Sequence, residues 1–270
     1  MRYSIVICFI AFLLANVSVA QQNEAWFEPN RGQWDHRILY KVALQGGDFI
    51  IEKDKFTFAL SDLKEVYHAA HKGEEIETIK HHTVQSYFVN SSWDGEIVEK
   101  DSSTFYKNYI LGNDNQAWKS MVRSYKKLEF INYYPSIDLL MEINTEHIKY
   151  SFRVYPGADL SQLKILHKGM ERLKVSKDEV EIHTQFGAIV ENGLKVWTEL
   201  ENGNKKSVLS TYKNEGDTVF YSFPEGYDEN AVLIIDPNLT FSTFTGSTSD
   251  NWGFTAAPDN DGNLYGGGIV

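Results

Sequence analysis

Cysteine is nearly absent from this chain of 270 residues: the single one, Cys8, lies in the N-terminal apolar run. Nothing downstream can form an intramolecular disulfide or a thiolate metal centre, so the fold has to rest on its apolar core. Proline is scarce, at six residues, which leaves most of the chain open to regular backbone pairing. Basic residues are outnumbered, 26 Lys and Arg against 37 Asp and Glu, for a net charge of −11 and a pI of about 5.2. That balance gives no long-range attraction to nucleic acid or to an anionic membrane. Long apolar runs are missing apart from residues 5–14, about half of the ~20 residues needed to cross a bilayer. GxSxG, Walker, GxGxxG and HExxH patterns are absent too, which removes the common short signatures of hydrolases, nucleotide binders and zinc proteases.

What is present begins with a leader. Arg2 precedes the apolar run, and Ser18 and Ala20 are small residues placed at −3 and −1 of a cleavage site before Gln21. This pattern predicts a secretory signal peptide over residues 1–20, removed from an exported protein. Cys8 has no lipobox-like surroundings, so lipidation is not expected. Aromatic residues make up 14% of the chain, a content that suits β-structure.

The clearest local signal lies between Asn108 and Asp159. Ile137, Leu139, Met141 and Ile143 alternate with Asp138, Leu140 and Glu142; Ile148, Tyr150, Phe152 and Val154 alternate with Lys149, Ser151 and Arg153. A period of two marks strands with one buried and one wet face. The short link Asn144-Thr145-Glu146 makes them an antiparallel hairpin, entered at Pro135 and left at the turn Pro156-Gly157-Ala158-Asp159. Further strands are predicted at 38–44, 49–52, 56–60, 82–90 and 96–100, with a short helix over 61–72. After Leu160 they are predicted at 163–166, 173–175, 180–183, 194–200, 208–212, 219–223 and 231–235. Separators such as Glu191-Asn192-Gly193 and Asn214-Glu215-Gly216-Asp217 divide them, and Asp236-Pro237 closes the last. Ala231 to Ile235 is apolar throughout, as for a strand covered on both faces.

Several of these residues also carry a resemblance. Asn108-Tyr109, Gly112-Asn113-Asp114, Trp118, Tyr125, Tyr134-Pro135, Ile137-Asp138-Leu139, Tyr150-Ser151-Phe152 and Pro156-Gly157-Ala158-Asp159 occur in order within a stretch from Phe27 to Pro237. This stretch resembles an uncharacterised β-rich domain of large secreted bacterial proteins, placed before SBBP-type β-propeller repeats. The resemblance implies a setting of gliding motility and type IX secretion, with downstream propeller repeats as neighbours; it implies no enzymatic activity. Residues 238–270, with their Gly-Ser turn and Asp259-x-Asp261-Gly-Asn263-Leu-Tyr string, resemble the opening of such a repeat. A blade takes about 40–45 residues, so an incomplete repeat and a fragment are expected.

Candidate chemistry is sparse. His68 and His71 are three apart on the predicted helix, with His81 and His82 following; that spacing suits a shared metal ion, but a solvated helix and loop is the favoured reading. Asp259, Asp261 and Asn263 offer oxygen ligands without the EF-hand order, and a hairpin turn explains them better. Asp138, Asp159 and Asp236 are carboxylates within the family-like pattern. A glycosidase would need two of them close together, and each has a structural explanation as strand face, turn cap or strand end. Trp26, Trp34, Trp93, Trp118, Trp197 and Trp252 suit either sugar stacking or a core.

Taken together, the sequence predicts an all-β, β-sandwich-like protein rich in antiparallel hairpins, followed by the start of a propeller blade. The domain spans 21–237, as one unit or as two subdomains divided near 159. The expected role is a secreted or cell-surface, non-catalytic structural or interaction module of a larger bacterial protein. It needs no catalytic residue, cofactor or metal, and its ligand is an extracellular protein or a glycan. A carbohydrate-binding module of a surface glycan system is the alternative, and a glycan or peptide hydrolase the second.

Overall fold

The computed structural model describes residues 24–44, 46–62, 72, 75, 78–91, 93–110, 112–116, 118–144, 148–200, 203–241, 252–258 and 264–269. The described chain is built almost entirely of antiparallel strands in two large sheets. The first has eight strands. Four consecutive ones come from the N-terminal part: β1 (Glu28–Pro29), β2 (Ile38–Leu44), β3 (Gly47–Glu52) and β4 (Lys55–Ser61). They lead to β5 (His81–Phe88), which pairs with the much later strand β12 (Lys164–Lys168). β18 (Thr218–Ser222) and β17 (Thr211–Glu215) complete that sheet.

The second sheet has nine strands. β6 (Ile97–Ser102), β9 (Tyr125–Tyr134), β10 (Ile137–Ile143) and β11 (Ile148–Val154) form one half. β13 (Arg172–Val175), β14 (Glu179–Thr184) and β15 (Gly187–Glu199) form the other, with β16 (Lys205–Ser207) on β15. β19 (Val232–Phe241) joins the halves, pairing with β11 on one side and β15 on the other. A small hairpin of β7 (Lys107–Tyr109) and β8 (Lys119–Val122) stands apart, as do β20 (Trp252–Pro258) and β21 (Leu264–Ile269). Both large sheets take strands from either side of residue 159, and β19 runs across position 237–238.

The sheets pack face to face through aromatic side chains, because alternation puts every second residue on the inner face. Ile137, Leu139, Met141 and Ile143 pair with Val154, Phe152, Tyr150 and Ile148, and all eight are buried. The opposite sheet supplies Phe49, Phe56, Phe58 and Phe88. Phe88 meets Tyr133 edge-on with ring centroids 5.2 Å apart, and Phe56 meets Tyr150 at 5.9 Å. Each side of the sandwich is also stitched. Phe27 and Tyr125 exchange two 2.9 Å backbone hydrogen bonds, and Tyr212 donates its N–H to Lys177 O at 3.0 Å. Such stitching covers edges that would otherwise pair with other chains.

Besides β9, for which no strand is predicted, three local features depart from the sequence reading. Glu191-Asn192-Gly193 is not a separator but part of the thirteen-residue strand β15. The register shifts between Asn192 and Lys195, so two residues face Pro237 alone, and Gly193 takes φ of 60°. This is a β-bulge, which explains a turn-like composition inside a strand. Nor does Asp236-Pro237 end β19. The proline sits opposite the bulge, where its missing N–H breaks no regular ladder. Finally, 208–212 is not one strand, since β16 ends at Ser207 and β17 starts at Thr211. The core of the helix expected over 61–72, residues 63–71, lies outside the described residues.

Candidate functional site

Burial is costliest for polar groups, so buried ones locate any built chemistry. The centre of the sandwich holds such a group. Glu191 projects inward from β15, and its Oε2 accepts a 2.6 Å hydrogen bond from the Tyr150 hydroxyl of β11. The Tyr221 hydroxyl lies 3.2 Å from that of Tyr150, and Tyr212 joins the same cluster from β17. Burial pushes the Glu191 carboxyl up to about 7, against the opposing pull of the tyrosine hydroxyls. The phenols of Tyr150, Tyr212 and Tyr221 are pushed up as well, first by burial and then by the neighbouring carboxyl.

Beside this cluster, Ser86 Oγ of β5 lies 2.9 Å from Nδ1 of His167 on β12. Burial holds the His167 imidazole down to about 4, so it stays neutral at ordinary pH. A Ser–His pair with a carboxylate nearby has the residue types of a hydrolytic site. Its setting is different. These residues and Phe56, Phe58, Phe88 and Ile165 enclose a void of about 20 Å³, room for one water molecule and not for a substrate.

The second feature is open. The outer face of the nine-stranded sheet carries a groove of about 350 Å³ across β9, β10, β11, β19 and β15. Lys149 Nζ lies 2.7 Å from Asp236, and Lys127 lies 3.5 Å from Glu142 and 3.1 Å from Asp101. Arg153 reaches Asp138 at 3.5 Å and Glu129 at 4.0 Å, while Lys100 sits 2.6 Å from Glu129. Trp197 lines the β15 side, with Lys205 Nζ 4.2 Å from its ring centroid. A third feature, the β7–β8 hairpin region, exposes Phe105, Tyr106, Ile110, Trp118 and Met121.

The carboxylates singled out from sequence are not brought together. Asp138 Oδ1 accepts the Asn132 N–H at 2.9 Å, and its Oδ2 accepts the Tyr155 hydroxyl at 2.9 Å. Asn132 sits in a second bulge with φ of 51°, so Asp138 replaces a ladder bond that the bulge removes. Asp236 pairs with Lys149, and β11 lies between its strand and that of Asp138. Asp159 caps a short 3-10 turn over Leu160–Gln162 by accepting the Ser161 N–H at 2.9 Å. Ser161, first through its hydroxyl and then through this backbone N–H, holds the Asp159 carboxyl below the usual range.

His81 Nδ1 lies 3.0 Å from Ser61 Oγ, and the His82 ring packs edge-on to Phe186. Among the described residues no group of three or more His, Cys, Asp and Glu side chains is placed to hold a metal ion. His68, His71, Asp259, Asp261 and Asn263 lie outside the described residues. The tryptophans divide by role: Trp93 is buried with Nε1 donating to Ile131 O at 2.9 Å, whereas Trp118 is exposed. Sequence reasoning missed Glu191, because the Asn-Gly after it imitates a turn. It also missed Ser86, His167, Tyr212 and Tyr221, which only the pairing of distant strands brings together.

A family model described as a domain of unknown function (DUF7948) matches residues 27–238. The chain belongs to the DUF7948 family. Its matched span takes in every strand of the two large sheets except the last three residues of β19. No curated protein and no solved structure gives a significant match to this DUF7948 chain. No described helix is long and apolar enough to cross a membrane.

Proposed function

We propose that this DUF7948 chain is a non-catalytic structural or interaction module of a larger secreted or cell-surface bacterial protein. The observation that carries this reading is the sealing of its Ser86–His167–Glu191 constellation: the residues most like a hydrolytic site face a void of about 20 Å³ between the sheets. A nucleophile that no substrate can reach contributes to packing and not to turnover. The leader-like residues 1–20 support export. In this reading the N-terminal module holds downstream SBBP-type propeller repeats, in the context of gliding motility and type IX secretion.

The test has two parts. N-terminal sequencing of the protein recovered from culture medium or the outer surface should begin at Gln21. Incubation with soluble polysaccharides and with casein should release neither reducing ends nor peptides. Hydrolysis that disappears on one carboxylate substitution would overturn the reading in favour of a hydrolase. A carbohydrate-binding module is the second reading, favoured by the open groove that Trp197 lines.

A further inference from the structure

The groove on the outer face of the nine-stranded sheet lies over the middle of the sheet. Its floor strands β10, β11 and β19 are paired on both sides. No edge is free there, so an extended peptide cannot add itself as a strand. The walls are mostly charged, and so do not suit the apolar face of an amphipathic helix. The charges are also answered locally: Lys127, Lys149 and Arg153 each have a carboxylate within 4.0 Å. Such a surface exerts little net pull on a polyanion or a polycation.

What remains is a row of planar, fixed hydrogen-bonding groups beside an indole. The guanidinium of Arg153 and the carboxylates of Glu129 and Asp236 are held by their ion pairs, which lowers the entropy lost on binding. Trp197, fixed by Lys205, supplies a flat apolar surface. Flat apolar faces rimmed by hydroxyls are the property of sugar rings. The groove volume of about 350 Å³ falls in the range of small-ligand sites, roughly 300–1,000 Å³. We propose that this groove binds a neutral oligosaccharide, with Trp197 as the stacking platform and Arg153, Glu129 and Asp236 as hydroxyl partners. The assignment rests on reading the chain as a non-catalytic interaction module.

The test is native affinity electrophoresis of the full chain in gels containing mixed-linkage β-glucan, xylan, galactomannan or dextran, with alginate and chitosan as charged controls. At least one neutral polysaccharide should retard the protein. Trp197→Ala should weaken that retardation by about tenfold or more. Ser151→Trp, which fills the groove floor and removes no core side chain, should do the same while keeping the native near-ultraviolet dichroism. Trp118→Ala, on the exposed hairpin, should leave it unchanged. Retardation by no neutral polysaccharide, or only by alginate or chitosan, overturns the proposal. So does binding that survives Ser151→Trp or is lost with Trp118→Ala. Release of reducing ends during the same incubation would instead overturn the non-catalytic reading, independently of where the sugar binds.

Discussion

The Tyr150 hydroxyl donates a 2.6 Å hydrogen bond to Glu191 across β19, the strand that lies between them. Among the described residues no cation pairs with this carboxylate, and the groups facing it are the hydroxyls of Tyr150, Tyr212 and Tyr221. Burial therefore favours the protonated form, up to about 7, against an ordinary 4.5. Between these two values the folded chain holds a proton that the unfolded chain has lost, so stability falls as pH rises through the window. The full difference is on the order of 3 kcal/mol. Glu191→Gln keeps the acceptor and removes the titration. Urea denaturation should show the variant gaining on the parent by roughly that amount between pH 4.5 and 8. Parallel stability curves for the two proteins would contradict the argument.

His167 acts with the opposite sign. Its folded form stays neutral down to about 4, while the unfolded imidazole takes a proton near 6.5. Stability is therefore lost as pH falls from 6.5 towards 4, again by on the order of 3 kcal/mol. The two slopes oppose one another between about 4.5 and 6.5, leaving the parent nearly flat there. Each single variant should uncover the other group. Glu191→Gln should become more stable with rising pH across this range, and His167→Asn, which keeps a partner for Ser86, less stable. Denaturation midpoints at pH 4.5, 5.5 and 6.5 decide it, and slopes of equal sign in both variants would refute the pairing.

The reach of the sequence ended where periodicity ended. The β10–β11 hairpin was legible because each of its strands keeps a strict period of two, and its register runs unbroken from Ile137–Val154 to Ile143–Ile148. Strand β9 was not, because the bulge at Asn132 places Tyr133 and Tyr134 in the core consecutively and cancels the alternation. β15 was shortened for the same reason at Gly193. The buried centre was illegible on different grounds. Ser86 and His167 are 81 residues apart and meet only because β5 pairs with β12. A single sequence carries no local signal for a contact set by topology.

Asp138 and Asp236 stand on the same face and differ in what they hold. Asp138 is 2% exposed and accepts from Asn132 N–H and the Tyr155 hydroxyl. Asp138→Ala leaves those two donors without their acceptor and Arg153 with Glu129 alone, and should cost about 2–4 kcal/mol. Asp236 is also largely buried, but it pairs with Lys149, whose side chain is about a third exposed and whose ammonium can return to water. Asp236→Ala should cost about 1 kcal/mol or less. Chemical denaturation of both variants tests the order. A larger loss at Asp236 would mean that the bulge does not depend on Asp138.

Two glycines separate backbone conformation from crowding. Gly193 and Gly216 have nearly the same left-handed φ, 60° and 57°. A side chain on either bears a similar conformational cost, about 1 kcal/mol. Their surroundings differ: a Cβ at Gly216 meets nothing within 4 Å, whereas one at Gly193 lies 2.9 Å from Asn238 Nδ2 of the neighbouring strand. Gly216→Ala should therefore show the conformational term alone. Gly193→Ala should exceed it only slightly, because Nδ2 is the far end of the exposed Asn238 side chain and can rotate away. Gly193→Ala combined with Asn238→Ala should recover that excess and leave the two sites equal. An excess above about 1 kcal/mol at Gly193 would contradict this and would mean that the Asn238 amide is held in place beside Pro237, opposite the bulge.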